Sequence, residues 1–307
     1  MPMSLSDIAW SGKRVVVLGD VCIDEWEYGR IDRISPEAPV PILTLDKVTR
    51  SPGMAALVAE MVRALGGEPI LATVLDGEGQ QWLISKLHSD TILETDENRL
   101  ISIKRRSMAA IEGRSQYFQV LRADMEDCWP IEEAIARKLA NKITDLERPD
   151  AVLISDYGKG VVTPWLANNV IGWCRHWEVP CIVDPARTAD WSTYAGASAI
   201  KANRKESRGQ EIPSPYADVT IVTRDSEGCS LWLESVEQKL PAVKIDVADP
   251  TGAGDQFLAA LGLSIAAGAA WSDGCRVANI AAALQAMSAG CVPVEREDLM
   301  DLQDAQV

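Results

Sequence analysis

The sequence predicts an α/β fold: a doubly wound, mostly parallel sheet flanked by helices. Short β-branched runs alternate with helical segments along most of the chain, which is the pattern of parallel strands joined by helical crossovers. Several of these runs end in loops that carry glycines and carboxylates, and ligands of open α/β sheets bind at that edge. The 307 residues, 47% of them hydrophobic, are enough for one large domain of this class or for two small ones.

The composition argues against several kinds of partner. Lys and Arg number 30 against 45 Asp and Glu, for a net charge of −15, so there is no basic excess to meet a nucleic-acid backbone. The seven cysteines are scattered without a C-x-x-C pair, which predicts free thiols in a reducing cytosol. The sequence contains neither a signal core nor an apolar run long enough for a bilayer. We therefore expect a cytoplasmic protein without nucleic-acid or membrane partners.

The first strand is predicted at residues 14–18 and runs into Gly19 and Asp20, with Asp24 shortly after. When they are considered alone, turn formation explains the two carboxylates better than ligand binding does. Three prolines within residues 36–41 exclude a helix there and predict an edge strand or a covering loop. The elements that follow are predicted as a helix at 51–65, a strand at 70–74 and a helix at 80–87.

Positive charge is concentrated in the strands predicted over residues 100–121, which turn at Glu112-Gly113. The cations there are Lys104, Arg105, Arg106, Arg114 and Arg122. Two explanations remain open. The cations line a solvated strand face, or some of them grip a substrate phosphate through charge-assisted bonds.

The second half of the chain continues the alternation of strands and helices. The helices are predicted at 131–146, 162–177, 259–267 and 276–287. The strands are predicted from residue 150 to a polar loop at 155–160, and at 180–183, 219–223, 229–233 and 242–247, with a further strand before residues 200–206.

The stretch D-P-T-G-A-G-D-Q-F at residues 249–257 lies between a strand-like run and an apolar helix. Gly252 and Gly254 allow backbone N–H groups to approach a ligand closely. The orphan N–H groups and the positive dipole end of a helix N-terminus favour phosphate. Asp255 falls in the first helical turn, where a carboxylate can take a proton from an attacking hydroxyl. A capped strand-to-helix turn without function is the alternative for a bare G-x-G-D.

The longer string resembles the signature of the PfkB/ribokinase family of sugar kinases. Residues 33–42 and 155–160 also resemble segments of the bacterial D-glycero-D-manno-heptose 7-phosphate kinases, a subgroup of that family. The resemblance spans nearly the whole chain in the right order. It implies one ribokinase-like kinase domain over residues 1–307, with a small β-sheet lid built from about residues 22–50 and 98–123. Because the lid often forms the dimer interface in this family, a homodimer is implied as well.

The resemblance also implies roles for individual residues in ATP-dependent phosphorylation of a sugar or sugar-phosphate hydroxyl. Asp255 is the expected general base, and the backbone of Gly252, Ala253 and Gly254 is expected to stabilise the transferring phosphoryl group. Mg²⁺ is expected near Asn203 and Glu206, and a monovalent cation is a further candidate. The expected nucleotide-binding residues are Asn203, Glu206, Thr223, Arg224, Gly228 and Asn279. The expected substrate-binding residues are Asp20, Asp24, Gly53, Lys104, Arg122, Asp156 and Lys159.

Three positions depart from the family pattern. Met54 replaces the second glycine of a hinge pair, Leu57 replaces an Asn that binds sugar hydroxyls, and Ala186 replaces the Lys that heptose kinases usually carry. Three hypotheses follow: a heptose 7-phosphate kinase, a PfkB kinase with a different acceptor, or a nucleotide-binding regulator that has lost sugar turnover. A dinucleotide-binding oxidoreductase is disfavoured, because no G-x-G-x-x-G fingerprint follows the first strand.

Overall fold

The computed structural model describes residues 9–110, 117–288 and 290–304. The strands are β1 (Arg14–Gly19), β2 (Val21–Ile34), β3 (Pro41–Met54), β4 (Glu68–Leu75), β5 (Asp90–Thr95), β6 (Ser102–Ala110), β7 (Tyr117–Met125), β8 (Ala151–Ser155), β9 (Cys181–Asp184), β10 (Ala197–Asn203), β11 (Ala217–Thr223), β12 (Cys229–Leu233) and β13 (Val236–Leu240). The helices are α1 (Ala55–Ala64), α2 (Gly77–Ile84), α3 (Glu133–Thr144), α4 (Pro164–His176), α5 (Ala253–Ala266), α6 (Trp271–Met287) and α7 (Arg296–Asp304).

The main sheet has nine strands in the order β13-β12-β11-β10-β9-β8-β1-β4-β5. Seven of them, from β5 to β11, are mutually parallel, and β12 and β13 add an antiparallel edge. β1 lies inside the sheet, where Val16 is in register with Ile70 on one side and Val152 on the other. The predicted doubly wound, mostly parallel sheet is therefore confirmed.

Both faces of the main sheet are buried under helices. In β1, Val15 and Val17 belong to the apolar layer that contains α1, α5 and α6, whereas Val16 and Leu18 belong to the layer that contains α3 and α4. A strand covered on both faces needs a continuous apolar run rather than an alternating one, which explains the sequence of β1. Gly262 of α5 packs so closely on β8 that a Cβ there would lie 2.4 Å from Leu153 Cδ2.

The second sheet, called the lid here, consists of β3-β2-β6-β7 in that order. β2 pairs antiparallel with β3 and parallel with β6, and β6 pairs antiparallel with β7. Only Asp20 separates the end of β1 from the start of β2. The two segments predicted for the lid match these strands, although β3 extends to Met54. The predicted turn at Glu112-Gly113 lies outside the described residues, as does Arg114.

Several predicted elements need correction. Residues 242–247 do not form a strand: Pro241 cannot donate to a ladder, and the N–H groups of Ala248 and Asp249 both donate to Ala286 O instead. The helix predicted from residue 51 begins at Ala55, because the chain before it is still paired in β3.

Other element boundaries moved by a few residues. Asp76 caps the N-terminus of α2 by accepting from Gly79 N, so α2 begins at Gly77. It ends at Ile84. The two predicted helices near the end of the chain begin earlier, at Ala253 and Trp271. All seven cysteines are free, as predicted. Within the described ranges, no helix combines the length and apolar character that crossing a bilayer requires.

Candidate active site

The carboxyl ends of the parallel strands bring the candidate loops to one edge of the main sheet. Gly19 at the end of β1 is in register with Ser155, and Ser155 with Asp184. Further along the same edge, Asn203 at the end of β10 pairs with Thr223 at the end of β11. Predicted site residues that are far apart in the sequence therefore line one continuous edge, as expected for an open α/β sheet.

The Asp249–Thr251 turn presents the N-terminus of α5 to this edge. Asp249 Oδ1 accepts from Thr251 N at 2.9 Å and from Thr251 Oγ1 at 2.6 Å, and its Oδ2 accepts from Gly290 N at 3.2 Å. Gly252 is the N-cap residue with a φ of +86°, a left-handed conformation that glycine adopts without steric cost. The turn thus leads directly into the helix end that attracts anions.

Lys201 places a buried ammonium group beside this helix end. Its side chain is 3% exposed, and its Nζ lies 2.7 Å from Asp184 Oδ2. A Cβ on Gly254 would come within 3.4 Å of the same Nζ. Burial lowers the pKa of Lys201, but the carboxylates of Asp184, Glu206 and Asp255 raise it by more, so the pKa lies above its ordinary value. The positive end of the helix dipole and the Lys201 ammonium therefore both attract negative charge to the N-terminus of α5.

Asp255 lies in the first turn of α5. Burial raises the pKa of its carboxyl group, while the hydroxyl of Tyr157 and the ammonium groups of Lys201 and Lys104 act in the opposite direction. The Tyr157 hydroxyl donates a hydrogen bond to Asp255 Oδ1. The Tyr157 hydroxyl and the two ammonium groups favour the ionised form that a general base needs, although burial keeps the pKa of Asp255 above its ordinary value.

Asp20 holds the loop that follows β8. Its carboxylate accepts the N–H groups of Tyr157, Lys159 and Val161, each at 3.0 Å, and it is 1% exposed. Burial raises the pKa of Asp20 against these three bonds. The prediction that Asp20 contacts substrate remains a prediction, but all of these bonds serve the loop.

Asp156 lies in the same loop with both carboxylate oxygens engaged. It accepts from Gly158 N at 2.7 Å and from the hydroxyl of Tyr194 at 2.6 Å. Burial and the neighbouring charge of Asp20 raise the pKa of Asp156 to about 6.

Asp24 projects from the lid as part of a buried ion pair. Arg106 Nη1 donates to Asp24 Oδ1 at 2.6 Å, and both side chains are less than 10% exposed. A Cβ on Gly53 would lie 2.2 Å from Asp24 Oδ2, so this position accepts only glycine. The Arg106 guanidinium also stacks over the ring of Trp26 at 4.7 Å. Arg106 was absent from the predicted site and is the direct partner of a residue within it.

The three cations among the predicted substrate-binding residues differ in how much of their charge is free. Arg122 pairs with Asp124 at 2.7 Å, and Lys159 pairs with Glu126 at 2.6 Å. Lys104 lies 4.9 Å from the centre of the Tyr157 ring. Across the described ranges, no carboxylate oxygen lies within 4.0 Å of the Lys104 ammonium, so its charge is available to an anionic ligand.

Asn203 and Glu206 form one hydrogen-bonded unit at the end of β10. Glu206 Oε2 accepts from Asn203 N at 2.8 Å, and Glu206 Oε1 accepts from Asn203 Nδ2 at 2.5 Å. Asn203 Oδ1 accepts from the N–H groups of Lys205 and Glu206. In the part of the chain that the structure describes, no cluster of three or more His, Cys, Asp or Glu residues is arranged to hold a metal ion.

Of the remaining predicted nucleotide-binding residues, Thr223 ends β11, Arg224 and Gly228 lie between β11 and β12, and Asn279 lies on α6. Gly228 has a φ of +93°, and a Cβ there would lie 2.1 Å from Leu240 O, so the chain after β13 passes tightly against it. Asn279 of α6 donates to Leu240 O at 3.3 Å and to Pro241 O at 3.4 Å. Arg224 donates to Ser230 Oγ at 2.7 Å. The structure thus brings Thr223, Arg224, Gly228 and Asn279 to one end of the site edge.

The positions that depart from the family pattern are mostly buried. Met54 is 2% exposed and Leu57 is 5% exposed. Met54 nevertheless has a φ of +57°, a backbone conformation in which side chains are disfavoured. Ala186 is 7% exposed, and a Cβ on Gly158 would come within 3.5 Å of its methyl group. An apolar methyl group at position 186 therefore lies beside the Asp156–Gly160 loop.

Comparison with known proteins agrees with this architecture. Residues 169–297 match the profile described as pfkB family carbohydrate kinase. Phosphofructokinase-2 from Escherichia coli in complex with potassium superposes with a TM-score of 0.74 at 16% identity, covering 96% of this chain and 99% of that chain. Ribokinase from Arabidopsis thaliana complexed with ribose and ATP superposes with a TM-score of 0.68 at 17% identity, covering 95% and 98%. Residues 169–297 therefore match the pfkB family of carbohydrate kinases, and the chain has a ribokinase-like fold.

Within this family, the sequence is similar to the bifunctional protein HldE. It is 35% identical to HldE of Caulobacter sp. (strain K31) over 314 residues, which is 96% of this chain and 63% of that protein. It is 32% identical to HldE of Geobacter sulfurreducens, over 93% of this chain and 62% of that protein. The chain spans less than two thirds of the length of the curated relatives it matches.

Proposed function

We propose that this protein transfers the γ-phosphoryl group of ATP to a hydroxyl of a sugar or sugar phosphate, with a heptose 7-phosphate as the favoured acceptor. The observation that carries the proposal is the position of Asp255, a partly buried carboxylate in the first turn of α5. The same helix end faces the Lys201 ammonium. A base and a site for negative charge lie side by side, as phosphoryl transfer requires.

The proposed reaction is a direct transfer. The acceptor hydroxyl loses its proton to Asp255, its oxygen forms a bond to the γ-phosphorus, and the bond from that phosphorus to the bridging oxygen of ADP breaks. The negative charge of the transferring group is stabilised by the backbone at Gly252, Ala253 and Gly254 and by Lys201. Most of the rate enhancement in such reactions comes from positioning and electrostatics, which suits a site built from a fixed turn and a buried ion pair.

A Mg²⁺ ion fits the oxygen-rich unit of Asn203 and Glu206. Magnesium is usually held by one or two carboxylates together with waters and substrate phosphates rather than by a full protein cage. Glu206 already accepts two hydrogen bonds from Asn203, which favours contact through water. When bound, the ion would neutralise phosphate charge. Asn203 and Glu206 would orient its water shell, while Thr223, Arg224, Gly228 and Asn279 would contact the nucleotide.

The lid and the loop after β8 are proposed to bind the acceptor. Asp24 and Gly53 lie on the lid, and Asp156 and Lys159 lie in the loop. Lys104 supplies a cation without a carboxylate partner in the described structure, which supports an acceptor that already carries a phosphate. Arg122 would join it by exchanging Asp124 for the ligand. We propose that Asp20 acts indirectly, through the loop that it anchors.

Three further properties are proposed with the kinase activity. The E. coli phosphofructokinase-2 structure contains potassium, so a monovalent cation is a candidate activator here. The exposed apolar side chains of the lid support a homodimer through that sheet. A cytoplasmic location fits the free thiols and a substrate such as ATP.

Replacing Asp255 by Asn tests the proposed function. ADP release should be measured with purified protein, ATP, Mg²⁺ and a panel of sugars and sugar phosphates that includes D-glycero-D-manno-heptose 7-phosphate. We expect Asp255→Asn to lower turnover by at least about 100-fold, the usual scale of a lost general base, while calorimetry shows ATP binding close to wild type. Asp246→Asn, at an exposed position outside the site, is the matched control.

Three outcomes separate the hypotheses. Near-wild-type turnover of Asp255→Asn would remove Asp255 as the base. Turnover only with another acceptor would favour a PfkB kinase of different specificity, an alternative supported by the apolar Met54, Leu57 and Ala186. ATP binding without ADP release for any acceptor would favour a nucleotide-binding regulator.

A further inference from the structure

Tyr157 connects the lid, the loop after β8 and the proposed base. Its hydroxyl donates to Asp255 Oδ1, and its backbone N–H donates to Asp20 Oδ2 at 3.0 Å. On the lid side, the Lys104 ammonium lies 4.9 Å from the centre of its ring. The position of the phenol is thus set from three directions.

The phenol of Tyr157 is a permanent hydrogen-bond donor. Burial and the charge of Asp255 hold the pKa of Tyr157 well above its ordinary value, so the group keeps its proton throughout the physiological range. A carboxylate that accepts a hydrogen bond at one oxygen keeps the other oxygen for a second partner. In Asp255 that second oxygen is Oδ2.

We propose that Tyr157 is the positioning residue of Asp255: it holds Oδ1 of the carboxylate so that Oδ2 is oriented to take the proton of the acceptor hydroxyl. This inference rests on the proposed function, because it gives Tyr157 a role only if Asp255 is the base. Nothing in the sequence around Tyr157 distinguishes it from a loop tyrosine that simply packs.

The hydrogen bond from Tyr157 also affects the pKa of Asp255. The charged and titratable groups around Asp255 and Tyr157 come from separate elements: Lys201 on β10, Lys104 on β6, Asp24 and Cys22 on β2, Asp184 on β9 and Cys291 before α7. Burial raises the pKa of Asp255, and the Tyr157 hydroxyl is the first of the groups that oppose it. Without that hydroxyl, Asp255 takes up a proton at a higher pH and ceases to be a base there.

The pH dependence of kcat in Tyr157→Phe tests this role. With ATP, Mg²⁺ and D-glycero-D-manno-heptose 7-phosphate, we expect the acid limb to move up by about one pH unit, which corresponds to a roughly tenfold lower kcat below the limb. Above the limb, kcat should approach the wild-type value. Phe preserves the ring under Lys104, and melting temperatures check that the variant is folded.

Tyr194→Phe is the matched control. It also removes a phenol that donates to a carboxylate of this loop, but its partner is Asp156. We expect it to change the KM for the acceptor and to leave the acid limb of kcat in place. An unshifted limb in Tyr157→Phe, or an equal shift in Tyr194→Phe, overturns the inference.

Urea unfolding gives a readout that does not depend on turnover. Tyr157→Phe should lower the unfolding midpoint in the wild-type background and lower it less in the Asp255→Ala background, because the bond is absent there. Equal losses in both backgrounds contradict the inference. Failure of the proposed function is seen separately, as a wild-type enzyme that releases no ADP with any acceptor.

Discussion

At the scale of single residues, the sheet edge concentrates carboxyl groups whose environments favour the protonated form. Burial raises the pKa of Asp20, Asp156, Asp184 and Asp255 alike. For Asp156 the folded-state value is about 6, against 3.8 for the free group. The folded protein therefore binds this proton more tightly than the unfolded chain does, and stability must depend on pH.

This dependence predicts how Asp156→Asn behaves. The stability due to the raised pKa is fully present below about pH 4 and is lost as the pH rises through about 6. Asn does not titrate, so the free energy of unfolding of the variant, relative to wild type, should rise by up to about 3 kcal/mol between pH 4 and pH 7. Urea unfolding at several pH values measures the difference. A difference that stays constant with pH contradicts the prediction.

Residue types and spacing were enough to single out Asp255 and its glycines as candidates, because that motif is local. They did not single out Lys201 or Tyr157, and they gave Arg106 only as one of several cations. Each of these acquires its partner only when separate elements meet: Lys201 with Asp184, Arg106 with Asp24, and Tyr157 with Asp255. In the sequence, Lys201 is noticeable only as a charged residue within a largely apolar strand. Its role depends on the burial of that strand.

At the scale of elements, the junction between β3 and α1 is held in a conformation made for glycine. Met54 at that junction has a φ of +57° and a ψ of −131°, which costs a non-glycine residue about 1–3 kcal/mol. Its buried side chain offsets this strain. Substitutions that remove the Met54 side chain can separate the backbone strain from the loss of buried apolar surface.

Comparing Met54→Ala with Met54→Gly isolates the backbone strain. Both variants lose the buried side chain and should be less stable than wild type, by a few kcal/mol for a methionine of this burial. Only Gly relieves the strain, so Met54→Gly should be more stable than Met54→Ala by about 1 kcal/mol.

The same pair of substitutions at Met61, inside α1 and fully buried, is the control. There Gly should be the less stable variant, as in any helix interior. Urea midpoints measure both pairs, and the same order at both positions would refute the assignment of strain to Met54.

Helices and strands were predicted well where hydrophobic periodicity and segment length indicated the same element. They were predicted less well where pairing with a distant strand determined the structure. The inner strands of the main sheet were predicted because a strand buried on both faces needs a continuous apolar run. The two edge strands, β5 and β13, were not predicted, because most of their residues are partly or fully exposed. Residues 242–247 have a strand-like composition, but Pro241 precedes them, and the N–H groups of Ala248 and Asp249, which follow them, donate to Ala286 O. The start of α1 was misplaced because residues 51–54 are paired with β2.

At the scale of the whole molecule, the exposed surface of the lid is too apolar to be explained by contact with water alone. Large hydrophobic side chains are 37–61% exposed on or between its strands. They are Ile34, Val40, Leu45, Val48, Tyr117, Phe118, Val120, Leu121 and Met125. Contiguous exposed patches of this kind mark interaction surfaces, which supports a homodimer through the lid.

Introducing charge into this surface tests the dimer. By analytical ultracentrifugation the wild-type protein should have twice the 33.4 kDa mass of the chain. The double variant Phe118→Asp/Leu121→Asp should sediment as a monomer, because burying two carboxylates without partners costs several kcal/mol.

Val236→Asp is the control, since Val236 is 62% exposed but lies on β13, away from the lid. It should leave the mass unchanged. A wild-type monomer, or a double variant that remains dimeric, would contradict an interface at this surface.

The central place of β1 has a kinetic consequence for synthesis. It is synthesised before β4 and β8, yet Val16 must pair with Val152 as well as with Ile70. Until β8 has emerged from the ribosome, one edge of this largely apolar strand has no partner, and such edges readily pair with other chains. The nascent protein therefore carries a risk of aggregation after the lid has been made and before β8 can pair with β1.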